Sequence, residues 1–567
     1  MTSIAIEADL AVPMRDGVRL WANLYRPKAG GPYPLIMSVT PYGKDKLPDR
    51  LTTFFMRLSG VKFGKLNCSR LTGFEAPDPV YWVQQGYAVL QADVRGMHKS
   101  EGHAGILRQQ DAEDYYDLIE WAGSQPWCTG RVGLMGVSYL AMSQWYAAAL
   151  KPPHLCAMVP WEGVTDLYRE FAFHGGIPET KFVALWAKRR INNGRNRRFP
   201  LAEDFLSEQA AHPLDDEYWA SKRPVLENID VPALVCANWS DHGLHTRGSI
   251  EGFERISSRQ KWLFTHGRKK WETFYGEEAL NWQKRFLDHF LRDLDNGFDR
   301  EQKIRLEVRK GYYRQEVRSE QTWPLPSVQS TPLYLCANTG TLQSEPVASE
   351  GKVQYQPQKR NSRAAFSVRF EQAVELVGGM RLKLWVSTSE GDDLDLFVVL
   401  RKLDSSGREV YFSGFNGYER DGLAKGWLRT SHRELDTTRS TPLRPWHSHA
   451  HIQKLRPADV VPVEIEIWPS ATLFEAGSSL QLTIQGRDAA RYPAFGHREL
   501  VNRGLHTILR EGHTSHFDQC RRGRKVRYRH GQHVRFLGLG GWTLFDGLGD
   551  RALNHDSNRP GQFPSPA

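Results

Sequence analysis

Residues of three kinds stand where together they could break an acyl bond. Residues 131–141, running Val132-Gly133-Leu134-Met135-Gly136-Val137-Ser138-Tyr139-Leu140-Ala141 after Arg131, read as a short apolar strand, a sharp turn carrying Ser138, and a helix start. A serine in such an elbow has its hydroxyl at the end of a sheet, beside the amides of the following helix. Serine is a poor nucleophile near neutral pH and needs an adjacent base, itself oriented by an acid. In sheets of this kind the acid and then the histidine follow the serine, each on a loop at a strand's C-terminal end. The strand pattern at 231–239 delivers Asp241, and that at 261–265 delivers His266. The expected triad is Ser138, Asp241 and His266. His242 and His245 are rivals as base, but both share a loop with Asp241, from where reaching between that carboxylate and Ser138 is awkward. The developing oxyanion needs donors, each worth about 3–4 kcal/mol. The amide of Tyr139 is one. The hydroxyl of Tyr42, past the strand at 35–39, is the other, because no His-Gly-Gly run offers backbone amides there.

The elements around these residues fit that reading. Residues 4–12 and 18–25 alternate as a hairpin around Arg15-Asp16-Gly17. Short apolar strands at 35–39, 87–92, 132–135, 155–159, 231–239 and 261–265 alternate with helical patterns, as in a mostly parallel sheet covered on both faces. Between Pro160 and Asp230 the alternation stops, and residues 171–191 and 201–226 read as helices rich in aromatics, placed to cover the site. Residues 277–294 form an amphipathic helix. From about Lys303 the chain turns to short strands and turns, an all-β sandwich or jelly roll. The expected division is 1–160 and 231–300 for the α/β domain, 161–230 for a helical cap, 301–549 for the jelly roll and 550–567 for a disordered tail.

Composition bounds the alternatives. The 567 residues carry a net charge of +10, spread thinly apart from a basic cluster at 188–198 and another at 521–529. That distribution argues against nucleic acid as a partner. The six cysteines are far apart with no Cys-x-x-Cys, which implies neither a zinc site nor a redox pair. No run of about 18 apolar residues occurs, so no membrane span is expected, and the start lacks a signal-peptide core. A cytoplasmic location follows by default, and a homodimer is left open. Asp392, Asp393 and Asp395 lack the spacing of a known calcium loop, so no metal or other cofactor is expected.

A resemblance enters with several ordered motifs. Pro41-Tyr42-x-Lys44, Asp93-Val94-Arg95-Gly96 with Ser100-Glu101-Gly102, Gln125-Pro126-Trp127, Gly136-Val137-Ser138-Tyr139 and Trp239-Ser240-Asp241 resemble those of the cocaine esterase/X-Pro dipeptidyl-peptidase-type (CocE/NonD) serine hydrolases. So do Gly391-Asp392-Asp393-Leu394-Asp395, Leu428-Arg429-Thr430-Ser431-His432-Arg433 and Ile467-Trp468-Pro469 in the second half. The resemblance implies an α/β-hydrolase domain with a helical cap insertion, then a jelly-roll, galactose-binding-like C-terminal domain. It implies Ser138 as nucleophile, His266 as base, Asp241 as its orienter, and an oxyanion hole of Tyr42 and Tyr139. Three departures stand out. Ala141 replaces a common glycine, Leu263-Phe264-Thr265-His266-Gly267 stands where the family often has Gly-Pro-Trp-x-His, and the sequence after His513-Thr514 turns basic and irregular.

Members of that family cleave esters, amino-acid esters, β-lactam side chains or X-Pro peptides. The expected function is hydrolysis of an ester, or an amide, of a small or medium acyl substrate. The alternatives on the same triad are an X-Pro dipeptidyl peptidase, an amino-acid ester hydrolase or an amide acylase. A transferase passing the acyl group to an alcohol or amine, and a non-catalytic binder using the jelly roll, remain as other classes. Trp161 is the expected wall of the acyl pocket. Glu162 is the first candidate carboxylate for a substrate ammonium, and Asp166 and Glu170 in the cap are alternatives.

Overall fold

The computed structural model describes residues 3–45, 62, 64–347, 350–489, 495–509 and 515–523. The tail expected at 550–567 lies outside them. Strands β1 (Ile4–Pro13) and β2 (Arg19–Pro27) form the antiparallel hairpin, turned at Gly17 with φ 83°. Then come β3 (Tyr33–Thr40), α1 (Pro79–Gln84), β4 (Ala88–Asp93), α2 (Gln109–Gly123), β5 (Cys128–Val137), α3 (Tyr139–Ala149) and β6 (Leu155–Trp161). The sheet order is β1-β2-β4-β3-β5-β6, parallel from β4 onward. Every residue of β4 is buried, as a strand covered on both faces requires.

Between β6 and the next sheet strand lies the cap, only partly helical. A π-helical turn (Tyr168–Ala172) leads into a small hairpin of Phe173–His174 and Ile177–Pro178. Then follow α4 (Phe182–Trp186), a second π turn (Ala187–Asn192), α5 (Phe205–Ala211) and α6 (Glu217–Ser221). The helices expected at 171–191 and 201–226 are broken at Gly175-Gly176 and before Pro213. Gly175 and Gly176 take φ of 55° and 81°, and a Cβ on Gly175 would stand 2.1 Å from the Trp427 carbonyl oxygen. Pro213 sits just beyond α5, where a helix cannot continue through its predecessor.

The sheet resumes with β7 (Ala233–Asn238), α7 (His245–Arg255), β8 (Lys261–His266), α8 (Lys270–Phe274) and α9 (Glu277–Arg292). β7 pairs β6 and β8, both parallel. Helix α9 buries Ala279, Leu280, Gln283, Phe286, Leu287 and Leu291, a stripe at three- and four-residue spacing. It lies so close to β5 that a Cβ on Gly133 would be 2.7 Å from Leu291 Cδ1. The next strand, β9 (Ile304–Gly311), pairs parallel with β8.

From Arg314 the described chain is strands and turns. Val374–Thr388 pairs antiparallel with Val461–Phe474, His506–Leu509 and His516–Gly523, while Asp395–Leu403 pairs with Ala424–Arg429 and Ser479–Gln485. Leu382, Leu396, Ile465 and Leu482 meet in one apolar core. The strand His516–Gly523 forms in the segment that the sequence pattern left irregular. This β region braces α7: Arg247 bonds Glu466, and Arg444 bonds Glu251 and Glu254.

Candidate active site

Ser138 sits at the turn between β5 and α3 with φ 60° and ψ −118°. A serine held there is strained by roughly 1–3 kcal/mol, a cost tolerated where the surroundings impose it. They do so through backbone bonds: the Ser138 amide donates to Trp161 O at 3.1 Å, and its carbonyl accepts from the Met142 amide at 2.8 Å. Gly136 has no room for a side chain, since a Cβ would stand 2.5 Å from Leu140 Cβ. Leu140 therefore packs directly beside the turn.

The Ser138 Oγ lies 3.1 Å from His245 Nε2. His245 Nδ1 bonds Asp241 Oδ2, four residues earlier. Asp241 leaves the end of β7, the chain turns through Gly243 at φ 103°, and α7 begins at His245. The Asp241 carbonyl accepts from the Leu244 and Thr246 amides, which folds the loop back on itself. This turn, ahead of the helix, brings the Asp241 carboxylate back onto the imidazole of the first helical residue. Helix α7 can come close because Gly248 and Gly252 face inward. A Cβ on Gly248 would lie 2.8 Å from Thr165 N, and one on Gly252 would lie 2.8 Å from Trp145 Cζ2.

His266 does not take part, which corrects the expectation that it is the base. It ends β8 and is fully buried. Its Nε2 lies 3.0 Å from Glu162 Oε1, and its Nδ1 accepts from the Arg268 amide at 3.2 Å. Both ring nitrogens are engaged, neither with Ser138. Burial pushes its pKa down to about 3, so the ring is neutral. Glu162 and Trp161 are also corrected: neither lines the cavity beside Ser138. Glu162 lies behind it, accepting from Asn238 Nδ2 at 3.0 Å. Burial pushes its carboxyl up to about 7, against the pull of Lys270. Trp161 packs its ring on Phe264 and Phe274. Asp166 and Glu170 are tied to arginines of the cap and α7: Asp166 to Arg169 and Arg223, Glu170 to Arg247.

The cavity at Ser138 measures about 90 Å³. Tyr42, Tyr139, Phe171, Trp186, Trp271 and Phe415 supply most of its aromatic wall, and Phe415 comes from the β region. Tyr42 accepts a hydrogen bond from Trp186 Nε1 at 3.1 Å. An indole N–H can only donate, so the phenol oxygen is the acceptor here and its proton is the donating end. The Tyr139 amide opens α3, where the first N–H groups have no intrahelical partner. Expected oxyanion donors and expected nucleophile therefore share one cavity. Glu75, at φ 67°, lines it too and accepts from Trp271 Nε1 at 3.0 Å.

Among the described residues two groups have ligand atoms spaced for a metal ion: Glu162, Cys236 and His266, and Glu162, Asp241 and His245. In the first, Glu162 and His266 already bond each other. In the second, the Lys270 ammonium lies among the three, 2.9 Å from Asp241 Oδ2, 3.0 Å from His245 Nδ1 and 3.9 Å from Glu162 Oε2. Burial opposes ionisation of Asp241, but Lys270 and His245 outweigh it and hold the carboxyl well below the usual range. Burial, then Lys270, push His245 below the ordinary imidazole value, against Asp241. Sequence reasoning missed Lys270, Glu75 and Trp186. The usable signal for His245 was its four-residue spacing from Asp241 at a helix start.

Asp393 and Asp395 are held by basic residues: Asp393 faces Lys454 at 3.3 Å and Asp395 binds Arg429 at 2.8 Å. Among the described residues no helix is long and apolar enough to cross a membrane.

Residues 16–269 match the X-Pro dipeptidyl-peptidase (S15 family) model, and residues 296–527 match the X-Pro dipeptidyl-peptidase C-terminal non-catalytic domain. The chain is similar to a solved CocE/NonD family hydrolase from Staphylococcus aureus, at 41% identity and TM-score 0.88 over 91% of this chain and 94% of that one. It is 30% identical to cocaine esterase of Rhodococcus sp. over 393 residues, 59% of this chain and 64% of the esterase. A solved α-amino acid ester hydrolase shares the fold at 17% identity and TM-score 0.69, over 92% of this chain and 97% of that one.

Proposed function

The chain belongs to the CocE/X-Pro dipeptidyl-peptidase family of serine hydrolases, and on that premise we propose that Ser138, His245 and Asp241 are its catalytic triad and that it cleaves esters of small or medium apolar acyl groups. One observation carries the assignment: a single imidazole bonds the elbow serine through one nitrogen and a buried carboxylate through the other. Nucleophile, base and orienter are recognised by this geometry rather than by sequence position. His245 Nε2 takes the Ser138 proton as Oγ attacks the carbonyl carbon. The tetrahedral oxyanion is held by the Tyr42 hydroxyl and the Tyr139 amide. His245 then gives the proton to the leaving alcohol, and water, activated by the same nitrogen, releases the acid. The aromatic wall and the modest cavity favour a compact apolar acyl group. The C-terminal β region is read as a jelly roll of the galactose-binding type that supplies Phe415 to that wall.

A second reading, an acyl group bearing an amine, is favoured by the Glu75 carboxylate in the same cavity. The two separate on paired substrates. A phenylacetyl ester preferred over the matching phenylglycyl ester supports the apolar reading. The reverse preference, lost in Glu75→Gln, supports the second. The triad is tested by intact mass after fluorophosphonate treatment. One adduct on wild type and none on Ser138→Ala or His245→Ala supports it, whereas an adduct that survives Ser138→Ala sinks it.

A further inference from the structure

We propose that Lys270 is the fourth member of the catalytic group, a positioning residue whose ammonium clamps Asp241 and keeps His245 neutral and ready to accept a proton. The proposal rests on the triad reading above. Lys270 is the first residue of α8 and is 4% exposed, with its Nζ 2.9 Å from Asp241 Oδ2. That oxygen also receives His245 Nδ1. One carboxylate oxygen is thus shared by the donor that must orient the imidazole and by a fixed cation. The other oxygen, Oδ1, is buried and makes no hydrogen bond among the described residues. The Asp241 carboxylate is held through Oδ2, and Lys270 and His245 both approach that atom.

The groups facing the imidazole come from four elements. Ser138 reaches it from the elbow, Asp241 from its own loop, Glu162 from the end of β6 and Lys270 from α8, with Glu75 acting on Lys270 from across the cavity. Asp241 and Glu162 favour a proton on His245, while Lys270, 3.0 Å from Nδ1, opposes it. Asp241, Glu162 and Glu75 outweigh burial and keep Lys270 charged. Burial opposes a proton on the ring, while the two acids pull toward imidazolium, which could not accept the serine proton. The lysine offsets that pull without leaving Asp241 uncompensated. Its charge enters no bond-making step, since His245 alone carries the proton between Ser138 and the leaving group.

The test is the pH dependence of kcat/KM for phenyl butyrate, an ester with no group titrating in the range. A neutral base is needed, so activity falls as pH drops through the His245 pKa. In wild type the acid limb is expected below the free imidazole value of about 6.5. In Lys270→Gln the limb moves up by about one unit or more, as expected on removing a charge within 4 Å, while Lys270→Arg keeps it near wild type. A wild-type limb at or above 6.5, or an unmoved limb in folded Lys270→Gln, overturns the proposal; the wild-type reading stands even where Lys270→Gln does not fold. Activity that persists in Ser138→Ala or His245→Ala would instead sink the triad reading. Loss of activity in both, with the limb unmoved in Lys270→Gln, sinks the lysine alone.

Discussion

His245 and His266 are two buried imidazoles, each bonded to a buried carboxylate, the first opening helix α7 and the second ending strand β8. They differ in what the second nitrogen meets. For His245 it is a hydroxyl at the edge of a cavity, and for His266 a backbone amide. They differ in the partner carboxylate too. Asp241 shares its oxygen with an ammonium at 2.9 Å, whereas Glu162 sees the same ammonium at 3.9 Å and its carboxyl is raised to about 7. A histidine–carboxylate pair is therefore no mark of catalysis by itself. What distinguishes the pair proposed to be catalytic is a second nitrogen that meets the elbow serine and an acid kept ionised by a cation.

The largest break in this comparison is to remove each ring. His245→Ala is expected to lower kcat/KM by about 10⁴-fold or more, since triad members act as a unit. His266→Asn is expected to leave kcat within a few-fold and instead lower the melting temperature, because a buried bonded group is lost at about 1–3 kcal/mol. Equal losses of activity in both variants, with both folded, would erase the distinction. The next effect belongs to Tyr42. Removing the hydroxyl in Tyr42→Phe should cost about 10²–10³-fold in kcat with KM little changed, the range for one oxyanion donor. A change confined to KM would make Tyr42 a pocket wall.

The third effect probes why His245 reaches Ser138 at all. In Gly248→Ala the new Cβ would meet the Glu170 carboxylate, with Oε2 at 2.3 Å, and backbone, with Thr165 N at 2.8 Å and Gly163 O at 2.9 Å. Helix α7 must move out, at about 1–3 kcal/mol of stability. His245 sits three residues earlier on the same helix, so kcat should fall by about 10–100-fold, the cost of misplacing a base. Unchanged kcat with lowered stability would show that the loop, not the helix, sets the imidazole.

Much of this was legible in the sequence, for identifiable reasons. The strands β3 to β8 are short apolar runs between turn residues, so period and length sufficed. The elbow was legible because Gly136, Val137 and Ser138 leave few other conformations. The base was not. The usual layout of related sheets puts the histidine after the next strand, which points to His266, whereas His245, the histidine that contacts Ser138, follows Asp241 on the same loop. Sequence separation of four residues looks too short for two triad members until the non-helical turn through Gly243, at φ 103°, folds the Asp241 carboxylate onto His245. The cap hairpin escaped because aromatic-rich stretches have helical and extended readings alike, and Gly175 is pinned by Trp427, 252 positions away in a region read separately. Lys270 escaped because nothing local marks a lysine as buried. Its surroundings come from four distant segments.

The smallest effect separates a wall from an orienter. Trp186 belongs to the cap and does two things at the site: its ring stacks on Tyr139 with centroids 6.3 Å apart, and its Nε1 donates to Tyr42 at 3.1 Å. Trp186→Phe keeps an aromatic ring and removes the donor. If the indole sets the direction of the Tyr42 proton, kcat falls by about fivefold, the worth of one hydrogen bond of about 1 kcal/mol, and KM stays within twofold. Combined with Tyr42→Phe the further loss should vanish, because the bond being tested is already gone. Additive losses would mean that Trp186 acts through packing on Tyr139, and the cap would then shape the cavity without aiming its oxyanion donor.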